Sequence, residues 1–190
     1  QTKAITSVAL MILFEEGKFL LEDPISKYIP SFKNPQVLEK YDSRTQQVHT
    51  RAAKSEITIR HLLSHTAGIP YNNPLDGHVR FSTLNFLPSI TDQTLEQTIP
   101  LLGERPLIAD PGEEFVYGPN TDVLGYLIEI LSGKSLADFL QERIFSPLGM
   151  NDTYFYLPEN KSGRLVNLYT LENSGDPLRL HSNAGYRNYP

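Results

Sequence analysis

Cysteine is absent from the 190 residues. A disulfide scaffold, a thiolate metal site and a cysteine nucleophile are therefore excluded, although the compartment stays open. Charge of one sign is also in short supply. The 17 Lys+Arg and 22 Asp+Glu leave a formal net charge of −5, and no basic run breaks that balance, which argues against nucleic acid as a partner. No apolar stretch is long enough to span a bilayer. There is no internal repeat, and the sequence starts at Gln1 rather than at a methionine. Proline, by contrast, is abundant at 14 residues, so frequent turns should cut the chain into short elements. With 39% hydrophobic and 21% charged residues, the composition is that of a chain that folds around a core.

Local patterns place the elements. Residues 1–17 read as a helix, with Ile5, Val8, Ala9 and Ile12 at i, i+3, i+4, i+7 and Leu10, Leu13 and Phe14 widening the stripe. Gly17 is its expected stop. The polar stretch from Tyr41 to Glu56 has no clear period and reads as a surface loop. Thr58 is the expected N-cap of a short helix carrying Ile59, Leu62 and Leu63, closed by Gly68 and Pro70. A long loop is expected from Tyr71 to Leu87, and a short helix over Thr91 to Leu101. The strongest helix runs from about Thr121 to Ser132, with Gly133 as its left-handed cap. Ser135 opens another helix, which Pro147 stops, and Arg164 to Leu171 alternates like a strand.

Four stretches in order carry the chemistry. Gln1-Thr2-Lys3 leads into the first helix. Next come Ile57 to Ile69 (ITIRHLLSHTAGI), then Pro111 to Gly125 (PGEEFVYGPNTDVLG), and last Ser132 to Met150. Together they resemble the serine β-lactamase and penicillin-binding-protein-like hydrolases, in the branch of class C β-lactamases, related serine esterases and D-amino-acid peptidases. The resemblance covers most of residues 1–155. It implies an α+β, β-lactamase/transpeptidase-like two-lobed fold, of which this chain is mainly the helical lobe with few strands. It also implies acyl transfer without metal or organic cofactor.

In that family Ser-x-x-Lys stands at a helix N-terminus. Residues three apart share a helix face, so the amine reaches the hydroxyl, and the helix terminus favours a developing alkoxide. Lys3 matches the lysine, and the nucleophilic serine is expected immediately before Gln1. The second motif is Tyr-x-Asn on a loop entering a helix, and Tyr117 matches its tyrosine. A phenol ordinarily titrates at about 10, so it needs a cation beside it to serve as a base. Here the pattern departs: Pro119 stands where the family has Asn, and Asn120 follows it. Proline offers no donor. Asn120 is the candidate substrate contact in its place, or else caps the next helix. The departure favours an esterase over a β-lactamase or a D-amino-acid peptidase. The third motif, Lys/His-x-Gly, has no match. His181-Ser182-Asn183 is nearest but lacks the glycine, so residues 1–190 are read as a partial domain whose C-terminal sheet lies elsewhere in the same protein and completes the cleft.

Two other functions compete with this one. A catalytically silent binding or scaffold protein of the same fold is compatible with Pro119. A metal-dependent hydrolase would use His61 and His65, four residues apart on one helix face, but Leu62 stands where a metalloprotease needs Glu and no third ligand is evident. The expected partner is a small ester, lactam or peptide, and no metal is assigned.

Overall fold

The computed structural model describes residues 1–71, 73–75, 93–167, 169–170 and 177–180. They fall into two compact units, residues 1–147 and 148–190.

The first unit is built on helix α4 (Asn120–Ser132), which buries Val123, Leu124, Leu127 and Ile128 and ends on Gly133 at φ 68°. Helices α1 (Thr2–Glu15), α2 (Ile59–Leu63), α3 (Leu95–Leu102) and α5 (Leu136–Leu140) all pack on α4. The α3 and α5 side chains come close at Gly125, where a Cβ would lie 3.0 Å from Leu136 Cδ2 and 3.5 Å from Leu95 Cδ1. The buried face of α1 is Thr6, Ala9, Leu10 and Leu13, while Val8 is 53% exposed. That is one residue round from the Ile5/Val8/Ala9/Ile12 stripe expected from periodicity. The helix is apolar on most sides, so its own pattern does not choose the face and its packing on α4 does.

Caps fix the ends of several helices, those at Thr58 and Ser135 as expected. The Thr58 hydroxyl accepts from His61 N at 3.2 Å, and Thr58 N donates to His61 Nδ1 at 3.2 Å, a reciprocal pair in which histidine replaces the usual acid. Ser135 Oγ accepts from Asp138 N at 3.1 Å. Thr94 caps α3 in the same reciprocal way with Gln97.

The expected surface loop from Tyr41 to Glu56 is instead part of a hairpin. Strands β1 (Gln36–Asp42) and β2 (Gln47–Ala52) pair antiparallel, with a register shift between Leu38 and Lys40. Val37 is the one residue of this hairpin in the core, which explains why no alternation of polar and apolar residues announces it. Its anchor is the backbone: Leu107 N donates to Gln36 O at 2.7 Å, and Leu38 N donates to Leu107 O at 2.8 Å. Behind it, Asp110 is 2% exposed and takes both nitrogens of the Arg51 fork at 3.0 and 2.6 Å, with Lys54 N at 2.9 Å.

In the second unit none of the described residues is buried. Asp152 accepts from both Arg164 terminal nitrogens, at 2.8 and 2.7 Å, and from Lys161 at 2.7 Å. Arg164 ends a 3₁₀ turn (Glu159–Arg164) rather than starting a strand. Short strands β3 (Tyr169–Thr170) and β4 (Arg179–Leu180) pair antiparallel. His181, Ser182 and Asn183, together with most of the Tyr71–Leu87 loop, lie outside the described residues.

Candidate active site

The site forms where two segments distant in sequence lie side by side. Residues 65–71 follow α2, and residues 107–118 lead into α4. Ile108 N donates to Gly68 O at 3.0 Å, Gly112 N to Thr66 O at 2.8 Å and Val116 N to His65 O at 2.7 Å. The approach is close enough to demand glycine twice. A Cβ on Gly68, which also stands at φ +77°, would overlap the Ala109 carbonyl oxygen; one on Gly118 would overlap that of Ile69.

This pairing presents Tyr117, 57% exposed, to the start of α1. Lys3, in the first turn of α1, holds its Nζ 5.0 Å from the Tyr117 ring centroid. A cation in a helix's first turn opposes the helix dipole, and α1 has no acid in that turn to offset it. Its partners come from elsewhere in the fold. A hydrogen bond with Tyr117 is the main cause raising the Lys3 pKa; burial works against it, and Tyr71 and Asp122 add to the rise. Lys3 is therefore an ammonium at neutral pH, aimed at the phenol.

Three residues join this pair that the sequence motifs did not single out for such a role. Tyr71 packs its ring 5.3 Å from that of Tyr117 and hydrogen-bonds Asp122. Asp122 lies in the first turn of α4. Burial pushes its carboxyl up, while Lys3 and Tyr71 hold it down. His65 stacks on Tyr117 at 5.4 Å with an interplanar angle of 26°. Asp122 was legible at best as an acid five residues after Tyr117; nothing local marks Tyr71.

Asn120 does not stand where a substrate contact would. It is fully buried, and its Nδ2 lies 2.9 Å from His65 Nδ1, so its donor is occupied inside the protein. The paired-histidine site also fails to form. Helix α2 ends at Leu63 and His65 stands beyond it at φ 56°, so the two histidines do not share a helix face. His61 Nδ1 is occupied by Thr58 N. No group of three or more His, Cys, Asp or Glu among the described residues is arranged to hold a metal ion, and no described helix is long and apolar enough to cross a membrane.

The family model described as Beta-lactamase matches residues 1–186. The chain belongs to the beta-lactamase family. Among similar members, the monacolin J acid methylbutanoyltransferase of Aspergillus terreus is 31% identical over 160 residues, covering 83% of this chain and 37% of that protein. The solved structure of EstCE1, a hydrolase with promiscuous acyltransferase activity, superposes with a TM-score of 0.75 at 30% identity, over 94% of this chain and 43% of its own. A penicillin-binding protein homologue from Pyrococcus abyssi superposes with a TM-score of 0.61 at 31% identity, over 94% of this chain and 37% of its own. The fold is thus of the β-lactamase/transpeptidase type, and the described part is helix-rich with few strands. This chain of the beta-lactamase family spans about two fifths of the length of the relatives it matches.

Proposed function

We propose that the protein carrying this chain is a serine hydrolase of the beta-lactamase family that works through an acyl-enzyme, with an ester as the favoured substrate. The observation that carries the reading is the Lys3 ammonium 5.0 Å from the centre of the Tyr117 ring, a meeting of two motif residues 114 positions apart in sequence. The serine expected before Gln1 attacks the ester carbonyl. Its proton passes to the Tyr117–Lys3 pair, and backbone amides stabilise the oxyanion. The pair then protonates the leaving alcohol, and water releases the acyl group by the reverse sequence. The serine proton needs an acceptor, so the reacting form of the pair carries one proton fewer than ammonium plus phenol, with the Lys3 cation stabilising the negative charge on the Tyr117 oxygen that takes that proton. The sheet carrying the third motif is assigned to the remainder of the protein.

Two observations favour an ester over a lactam or peptide. Pro119 has no donor, and the Asn120 donor is spent on His65. No side chain of this motif is left to bind a substrate amide. A second acceptor is also supported. Phe115 is 71% exposed and Tyr71 37%, beside Tyr117. This aromatic rim suits an apolar alcohol in place of water, which agrees with the acyltransferase activity of the Aspergillus terreus methylbutanoyltransferase and of EstCE1.

The test uses the full-length gene product. The residue before Gln1 must be Ser; any other residue there leaves the silent binding protein as the reading. Hydrolysis of p-nitrophenyl butyrate should fall by about 10²–10⁴ in both Lys3→Ala and Tyr117→Phe. Undiminished turnover in either variant overturns that residue's assignment. A chromogenic cephalosporin turned over faster than the ester would overturn the substrate class.

A further inference from the structure

We propose that His65, held by Asn120 as a neutral imidazole protonated on Nε2, is a positioning residue that fixes the Tyr117 ring against Lys3. The proposal rests on the acyl-transfer reading above and deepens it.

The orientation of Asn120 decides the tautomer. Its Nδ2 lies 2.9 Å from His65 Nδ1 and 3.5 Å from Val116 O. Turning the amide over would set its oxygen against the Val116 carbonyl and leave the NH2 without an acceptor there. With the NH2 toward both atoms, Nδ1 accepts, and the ring proton sits on Nε2. Asn120 is wholly buried, and its Oδ1 has no partner among the described residues. A buried, half-satisfied amide is destabilising, so packing alone does not account for it. What the residue does accomplish is to lock the imidazole, which stacks on Tyr117. The backbone is committed to the same end: His65 stands at φ 56°, a conformation unfavourable for most side chains, and its carbonyl accepts from Val116 N at 2.7 Å. Histidine, asparagine and tyrosine thus form one continuous contact, with Lys3 on Tyr117.

The charge state matters as much as the stacking. A protonated ring would carry hydrogens on both nitrogens, set Nδ1–H against the Asn120 NH2 and place a second cation beside Lys3. The titratable groups around His65 are Lys3 from α1 and the stacked Tyr117; Tyr71 and Asp122 of α4 contact or charge the same pair. Burial first, and Lys3 second, hold the His65 pKa below its ordinary 6.5.

The experiment again uses the full-length protein. Nitrogen NMR of the wild type at pH 8 should show His65 protonated on Nε2; the Nδ1–H tautomer overturns the proposal without reference to activity. In ester hydrolysis, His65→Asn, chosen because asparagine tolerates a left-handed backbone, should lose about 100-fold in kcat, the scale of a misplacement near 1 Å, with KM little changed. The wild-type acid limb of kcat should fall below pH 6.5 and be absent in His65→Asn. In Asn120→Asp the carboxylate should favour the imidazolium and move that limb up by about one pH unit or more. An unmoved limb in Asn120→Asp, or wild-type kcat in His65→Asn, overturns the proposal. Intact turnover in Lys3→Ala and Tyr117→Phe overturns the parent reading and this one with it. Loss in those two variants with none in His65→Asn overturns this one alone.

Discussion

Gly118→Ala is the sharpest mechanical test of the site. Gly118 is buried and follows Tyr117 directly. It is not among the glycines at positive φ, so alanine is conformationally allowed there and the penalty is purely steric. The new Cβ would overlap the Ile69 carbonyl oxygen and lie 2.8 Å from its carbon and 3.1 Å from that of Pro70. All three atoms are backbone, so no rotamer change relieves the clash. The two segments must part by about 1 Å before the contact reaches 3.0 Å. They are the segments tied by Val116 N to His65 O, so the displacement falls on Tyr117. A shift of about 1 Å in a reacting group removes about 100-fold in rate. The strain should also destabilise the fold by about 1–3 kcal/mol, or about 2–4 °C in Tm per kcal/mol at this size. The assays are ester hydrolysis and thermal unfolding of the full-length protein. Gly163→Ala, where nothing lies within 4 Å of the new methyl, is the control and should change stability by less than about 0.5 kcal/mol. Wild-type kcat in Gly118→Ala would refute the claim that the close pairing of these segments positions Tyr117.

Acid should destabilise the first unit through Asp23, whose pKa is held down to about 2 by the Leu20 amide first, then by Tyr28 and Lys27. A folded pKa below the ordinary 3.8 means the unfolded chain takes the proton more readily. The stabilisation is therefore complete above pH 3.8 and is lost as pH falls toward 2. Denaturant unfolding between pH 5 and 2 should lose stability less steeply in Asp23→Asn; an unchanged pH slope would refute this. Asp110, held down by Arg51 first and then by the Lys54 amide, should act in the same direction, and Arg51→Met should weaken the protein at neutral pH in the same unfolding assay. Ester hydrolysis should be unaffected by prolonged EDTA treatment, because His61 and His65 are engaged with Thr58 and Asn120; loss restored by zinc would reinstate the metal hydrolase.

The helix boundaries were readable in the sequence wherever a cap set them within a few residues. Thr58, Ser135 and Gly133 act on amides and carbonyls within one turn, and that information is local. Lys3 and Tyr117 were legible for a related reason, because each stands in a short motif at a helix entrance. The hairpin of β1 and β2 was not legible. It places only Val37 in the core, and the partner of that residue, Leu107, lies far along the chain. The buried face of α1 was not legible either, since a helix apolar on most sides takes its face from whatever packs on it.

The same division runs through the site. Sequence alone determined the absence of cysteine from these 190 residues, the order of the motifs and the family they resemble. It also supplied the missing donor at Pro119, a property of the residue itself. Only the tertiary structure decided where Asn120, His65, Tyr71 and Asp122 stand and so which roles are open to them. Asn120, the first residue of α4, is buried against His65 Nδ1, and His65 stands beyond α2 at a positive φ. Those roles depend on laying residues 107–118 against residues 65–71, and contacts at that separation leave no period, spacing or cap in the sequence to reveal them.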